Sequence, residues 1–314
     1  MYKVNDDFKK IIKAGIKIIK VPYRIAVRLL FYRESEQDEF QDYLSVVAIA
    51  KNEERYLREW VKFHKAVGVD RVILFDNNEC SESVSNLLHD YIKSGYVIFH
   101  HFPGVAQQYS AYQYAVAHYK DQSKYMAFID IDEFLLSASL NVSLKGQIES
   151  ILQAAGKNVA GIAVNWRMYG SSGLQDPPVG FGVVDNYLYR AMDSEGIVNG
   201  VIKTIANPRR IWKYRDAHYP IYFFPFYSVN EDGRRCEGPF NRTGKPVLKL
   251  RINHYFTKSK TEWMERRSRP VADRAEGHRR STEKLKSDFD KYDQNEVYDP
   301  IAKEAFCSIK GHVR

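Results

Sequence analysis

Phe128-Ile129-Asp130-Ile131-Asp132-Glu133-Phe134-Leu135 is the stretch that decides the fold. An apolar, β-type run from Tyr125 to Ile131 delivers two carboxylates to its end, and Phe134-Leu135 closes it. Side chains alternate faces along a strand, so Asp130 and Asp132 are expected on the same side. Two such carboxylates make a hard oxygen site suited to Mg²⁺ or Mn²⁺ carrying phosphate oxygens. A strand end with solvated acids is the plainer alternative, and Asp-x-Asp by itself does not decide between them. The apolar flanks favour the metal, because ionised carboxylates beside a core are costly unless paired or metal-bound.

Upstream, Tyr43 to Ala50 reads as a buried strand, rich in apolar and β-branched residues. Lys51-Asn52-Glu53-Glu54 follows, then an amphipathic helix with Tyr56, Leu57, Trp60, Val61 and His64 on one stripe and Gly68 at its end. Val72 to Phe75 is the next strand, with Asp76-Asn77-Asn78 at its tip. Strand, helix, strand is a βαβ unit of a parallel sheet. Ligands of such sheets bind beyond the carboxyl ends of the strands. Ala48 to Glu53, Asp76 to Asn78 and Asp130 to Asp132 all fall there.

Further pieces follow in order: "QQYSAYQYAVAHY", "YMAFIDIDEFL", "NWRMYGSSG", "VIKTIANPRR" and "INHYFTKS". With "VVAIAKNEERYLREWVKFHKAVGVDRVILFDNNECSES" they cover roughly Leu44 to Tyr298. Taken together they resemble a GT-A-fold glycosyltransferase of the family 92 and family 2-like group. The resemblance implies an α/β, Rossmann-like GT-A fold with a mostly parallel central sheet, plus an N-terminal amphipathic helix and C-terminal helices. It also implies transfer of a sugar, with inversion, from a nucleoside diphosphate sugar, UDP-linked, to a glycan or lipid-linked glycan. Surface polysaccharide biosynthesis is the expected setting, with Mn²⁺ or Mg²⁺ as cofactor.

A chain of 314 residues is long enough for one large α/β domain with additions. Its 44% hydrophobic and 27% charged content is that of a globular protein, and 14% aromatic content is high. The net charge of +8 calls for anionic partners, yet no nucleic-acid motif is visible. Cys80, Cys236 and Cys307 show no disulfide or metal spacing, which suits a reducing cytoplasm. Neither a transmembrane run nor a signal peptide is visible.

Three regions are expected. Residues 1–41 are a basic amphipathic segment and a polar linker. Ile11, Ile12, Ile16, Ile18 and Ile19 oppose Lys9, Lys10, Lys13, Lys17 and Lys20, and an apolar run resumes after Pro22. Such a helix lies on an anionic membrane, at the inner face, or packs on the enzyme body or a second subunit. Residues 42–260 are the catalytic domain, with a nucleotide half (42–136) and an acceptor half (137–260). Within it, helices are expected over Val84–Ile92 and Gln107–Tyr119, and mostly over Ser137–Gln153. Residues 261–314 are a C-terminal helical extension.

For the chemistry, Asp130 and Asp132 are the expected metal residues, with Asp130 alternatively serving the ribose. His254 is the third ligand that the resemblance implies; a lone histidine is otherwise structural. Lys258 and Lys260 follow where a diphosphate would be touched, and Arg266 continues the basic run. Asp76, Asn52, Glu53, Ala48 and Gln108 are expected around the nucleotide, with helix capping the alternative for Glu53. Trp166, Tyr169, Ser171 and Ser172 form the expected acceptor platform. The general base is left open among Asp185, Asp176, Glu231, Asp232 and Glu237, with Asp185 preferred. His218 is a polar contact or a core histidine. A sugar-phosphate nucleotidyltransferase is the competing enzyme, although its Gly-rich basic loop is missing. A non-catalytic carbohydrate- or membrane-binding module is the non-enzymatic alternative.

Overall fold

A computed structural model describes residues 21–33, 39–180, 182–194, 199–241, 248–268 and 281–310. The isoleucine and lysine stripes of residues 9–20 lie outside these, as does the basic run beyond Arg267. Residues 21–31 form helix α1. The expected βαβ unit follows as β1 (Asp42–Ala50), α2 (Glu54–Ala66) and β2 (Arg71–Asp76), with β1 and β2 parallel from Ser45↔Arg71 to Ala50↔Asp76. Gly68, at φ +94°, makes the left-handed turn that lets the chain leave α2 for β2. The region expected as one helix over Val84–Ile92 is two short helices, α3 (Glu82–Leu87) and α4 (His89–Lys93), hinged at buried Leu88. Then come β3 (Val97–His101), α5 (Gln108–Tyr119), β4 (Ser123–Phe128) and β5 (Glu133–Ser137).

The second half brings α6 (Leu144–Gln153), β6 (Val159–Met168), α7 (Val183–Asn186), β7 (Tyr189–Arg190) and β8 (Ile202–Ala206). Helix α6 starts later than expected, where Ser143 Oγ accepts from Gly146 N at 3.1 Å and caps it. The chain continues through β9 (Ile211–Tyr214), β10 (Pro220–Tyr222), β11 (Tyr227–Val229), β12 (Arg235–Cys236) and β13 (Leu250–His254). It closes with α8 (Lys260–Ser268), α9 (Thr282–Tyr292), β14 (Val297–Tyr298) and α10 (Ile301–Lys310).

The strands assemble a ten-stranded sheet in the order β12-β11-β6-β8-β4-β1-β2-β3, with β13 joined to β5 and β6. Its β4-β1-β2-β3 part is parallel, and β8 runs antiparallel to both β4 and β6. Strand β6 therefore points the same way as β4, and β13, parallel to β6, does too. The carboxyl ends of β1, β2, β4, β6 and β13 thus share one edge. This α/β architecture with a largely parallel core is the one expected.

Strand alternation explains the two-layer cover. Leu44, Val46, Ala48 and Ala50 face α2 and α6, where Leu57, Trp60, Phe63 and Ile148 pack. Val47, Ile73 and Phe75 face the other way, toward Tyr112 and Ala115 of α5 and Val27 of α1. Each fully buried large side chain contributes about 1.5–3 kcal/mol. The 42–136 and 137–260 halves share this one sheet. The C-terminal residues are also woven in: β14 pairs with β7, and Phe306 of α10 meets Phe63 at 5.8 Å between ring centroids.

Candidate active site

Strand β4 ends at Phe128, three residues earlier than expected, so Asp130 and Asp132 lie in the turn before β5. Strand alternation therefore does not put them on one side; the turn sends them apart. Asp130 Oδ2 accepts from Lys203 Nζ of β8 at 2.8 Å, and its Oδ1 accepts from Gln108 Nε2 of α5 at 2.8 Å. Asp132 Oδ2 accepts from Arg266 Nη1 of α8 at 2.8 Å, and its Oδ1 lies 3.5 Å from His254 Nε2. The antiparallel register that sets His254 opposite Glu133 in the β5–β13 pair holds His254 in place. Burial alone would raise the Asp132 carboxyl, but His254, Arg266 and Lys258 hold it well below the usual range.

Glu133 and Lys203 are fully buried, their charged atoms 3.7 Å apart. Burial pushes the Glu133 carboxyl well above its ordinary value, with Lys203 opposing. Lys203 keeps its proton because Asp130 and Glu133 outweigh the cost of its burial. Neither residue stands among the expected ones. A single lysine inside the apolar run Val201 to Ala206 was the available signal, since a strand buries such a charge only against a partner.

Beside Asp132 a recess of about 120 Å³ is lined by Asn52, Glu53, Tyr56, Lys258 and Arg266, among others. Glu53 occupies the N-cap position of α2 without a side-chain cap bond, and its carboxylate faces Lys258 Nζ at 3.8 Å. Burial raises its pKa, and Lys258 opposes the rise. Asp76 is buried at the tip of β2; its Oδ1 accepts from Asn78 N at 3.1 Å, and its Oδ2 has no protein partner. Asn78 Oδ1 in turn accepts from Asn52 N at 2.9 Å, which ties the two loops together. An orphaned carboxylate oxygen at this sheet edge suits a hydroxyl or N–H donor from a ligand.

Other expected residues are placed elsewhere. Ala48 is buried under α2 within the core, out of reach of a ligand. Lys260 lies over the Phe289 ring at 5.7 Å, turned to α9. Tyr169 is fully buried; its hydroxyl donates to Asp299 O and accepts from Arg251 and Asn253, so it is a packing residue and not a platform. Ser171 donates to Asp293 through Oγ at 3.0 Å. Ser172 N donates to Asn295 at 2.8 Å, and its Oγ accepts from Leu188 N at 2.8 Å. These two serines hold a turn. Asp185 faces Lys303 of α10 at 3.8 Å and is not brought to the Asp132 cluster. Trp166 is brought there: its ring meets His254 at 4.1 Å and His218 at 5.3 Å between centroids.

Asp132 and His254 Nε2 face each other and fit two positions of a divalent-cation site. Asp130 is turned to the other side, where Lys203 and Gln108 donate to its two oxygens. No third His, Cys, Asp or Glu completes a cluster among the described residues. Any remaining positions would fall to diphosphate oxygens and water. If this pair holds a cation, His254→Ala should weaken Mn²⁺ binding by about 10–100-fold. An unchanged Mn²⁺ titration would make His254 structural.

The family model for glycosyltransferase family 92 matches residues 45–291. A family 92 protein of Ricinus communis is 30% identical over 153 residues, 48% of this chain and 26% of that protein. One of Arabidopsis thaliana is 24% identical over 173 residues, 53% of this chain and 27% of that protein. The chain thus aligns with about a quarter of the length of these relatives. Among solved structures, the mannosyltransferase PcManGT from Pyrobaculum calidifontis, in complex with GDP-Man and Mn²⁺, overlaps 48% of this chain and 46% of its own. Its TM-score is 0.32 at 11% identity. S. aureus TarS 1-349 in complex with UDP overlaps 53% and 47%, with TM-score 0.33 and 13% identity.

Proposed function

The chain belongs to glycosyltransferase family 92, and from that premise we propose that it is a metal-dependent glycosyltransferase. It moves a sugar from a nucleoside diphosphate sugar, UDP-linked, to a glycan or lipid-linked glycan, with inversion, in surface polysaccharide assembly. The observation that carries this reading is the facing pair Asp132 and His254, with Arg266 and Lys258 alongside at the carboxyl edge of the sheet.

Asp132 and His254 would hold Mn²⁺ or Mg²⁺, which supplies Lewis-acid neutralisation of the departing diphosphate. Lys258 and Arg266 add fixed positive charge at the same place. Asp76 Oδ2 accepts from the nucleoside, and Asn52 and Glu53 line its entrance. Gln108 and Lys203 orient Asp130, which is left to bind a sugar or ribose hydroxyl. Trp166 offers the apolar face on which a sugar ring stacks.

Thermal shift with UDP-glucose, UDP-galactose and GDP-mannose, each with Mn²⁺, tests donor binding, since a ligand of the folded state raises its apparent stability. Release of free nucleotide that requires the metal separates an enzyme from a binding module. Formation of a nucleotide sugar from a sugar phosphate would favour a nucleotidyltransferase instead. The anomeric configuration of the product decides inversion.

The proposed site of work is the inner membrane face. Helix α1 anchors itself through Val27 and Arg28, whose Nη1 donates to Phe224 O at 2.9 Å, and Tyr32 just after it meets the Phe223 ring, tilted, at 5.4 Å between centroids. Its outer face leaves Leu29, Leu30 and Phe31 about two-thirds exposed (71%, 67% and 68%). An apolar face on a basic segment is the pattern of an interfacial helix. Replacing Leu29 and Leu30 with Glu is therefore expected to abolish flotation with anionic liposomes at low salt, while metal-dependent nucleotide release persists. Equal flotation of both proteins would make the face a packing or dimer surface. No helix among the described residues is long and apolar enough to cross a membrane.

A further inference from the structure

Inversion needs a base for the acceptor hydroxyl; four of the five candidate carboxylates have partners elsewhere, and the fifth, Asp232, is exposed in the turn between β11 and β12. Asp185 faces Lys303 at 3.8 Å, Asp176 accepts from Thr261 at 2.7 Å, and Glu237 pairs with Arg235 at 2.8 Å. Glu231 accepts from the backbone of Leu248 and Lys249, both at 2.9 Å. A histidine stands closer to the cluster. His218 lies in the loop between β9 and β10, its ring 5.3 Å from Trp166, which itself touches His254.

The loop is pinned at that point. Thr204 Oγ1 donates to His218 O at 2.8 Å, His218 N donates to Asp216 at 2.8 Å, and Lys203 Nζ reaches Ala217 O at 3.4 Å. His218 Nδ1 lies 3.0 Å from Ile202 O, a carbonyl that only accepts, so Nδ1 carries the proton and Nε2 keeps its lone pair. The ring is half-buried.

We propose that His218, through Nε2, is the general base that takes the proton from the acceptor hydroxyl. The assignment rests on the glycosyl-transfer reading. As the acceptor O–H bond breaks, its proton passes to Nε2 and the oxygen bonds to the anomeric carbon. The bond from that carbon to the diphosphate oxygen breaks, and its electron pair leaves with the nucleotide. Lys203 of β8, Asp130 of the β4–β5 turn and Asp216 of the same loop are the charged groups around the ring. Burial and then Lys203 lower its pKa, with Asp130 and Asp216 opposing, so the ring is neutral and basic at neutral pH.

The test follows transfer to lactose and nucleotide release from UDP-glucose, UDP-galactose and GDP-mannose with Mn²⁺, between about pH 5 and pH 8. His218→Gln is expected to lower kcat by about 10²–10⁴-fold and to remove the acid limb of the pH profile. Binding of UDP with Mn²⁺ should stay intact. Added imidazole should restore part of the activity of His218→Ala. Wild-type release with an unchanged His218→Gln profile overturns this assignment alone. A loss that imidazole leaves untouched, together with a lowered Tm, makes the ring a packing element on Trp166 and also overturns it. No release by the wild type from any of the three donors removes the transferase reading and this assignment with it.

Discussion

Asp132→Asn is expected to reduce metal-dependent nucleotide release by at least about 100-fold, equivalent to about 2.7 kcal/mol of transition-state stabilisation. Asp132 faces His254 and Arg266 together, so removing its charge takes away one of the two proposed metal donors. The isosteric amide keeps the volume and leaves an oxygen for Arg266, so the native fold should remain. Its pH behaviour has a definite sign. The Asp132 carboxyl is held below its usual range, so its contribution to stability is present above the unfolded value near 3.9 and is lost only as pH falls through the lower folded value. At pH 7 the variant should therefore lose stability as well as activity, and that stability difference should shrink in strong acid. Full Mn²⁺-dependent turnover by Asp132→Asn would sink the metal assignment.

The parts of this molecule readable from sequence are those whose pattern is local. The β1–α2–β2 unit follows from a period of two in Leu44, Val46, Ala48 and Ala50 and a period of 3.6 in Leu57, Trp60, Val61 and His64. Ala48 lies close to the strand end, but its parity decides its place: it shares the face that α2 covers. The end of β4 was hidden as well. Ile129 and Ile131 continue the apolar alternation, but Glu133 opens an antiparallel pairing with β13 some 120 residues later, and that pairing sets the turn. Tyr169, Ser171 and Ser172 resembled a sugar platform because their partners, Asp299, Asp293 and Asn295, lie more than 120 residues away in sequence. Lys203 is the same case in reverse. Its chemistry is set by Asp130, 73 residues earlier, and no local spacing reveals the pair. The site was legible as a strand edge with carboxylates and a histidine; how charge is divided between Asp130 and Asp132 was not.

That division makes Lys203→Met the most damaging substitution expected for stability. Lys203 is fully buried between Asp130 and Glu133, and Glu133 is fully buried too. Methionine fills similar volume, so the effect is electrostatic rather than a cavity. Removing one partner of a buried pair typically costs about 3–5 kcal/mol, because the remaining charge is uncompensated. For a domain of this size that corresponds to a Tm lower by roughly 10 °C. Burial already raises the Glu133 carboxyl, and Lys203 opposes the rise, so its loss must raise the carboxyl further. A carboxyl raised in the folded state costs nothing below its unfolded value near 4.3 and costs progressively more as pH climbs toward the folded value. The wild type carries the same cost up to its own folded Glu133 value, so the Tm deficit of Lys203→Met should widen only as pH rises past that value, in a scan upward from about pH 5, and adding Glu133→Gln should recover part of it. Chemical or thermal unfolding of the two variants across that range reads this directly. A deficit that does not change with pH would mean that Lys203 matters for its packing, and that Asp130 and Glu133 do not share its charge.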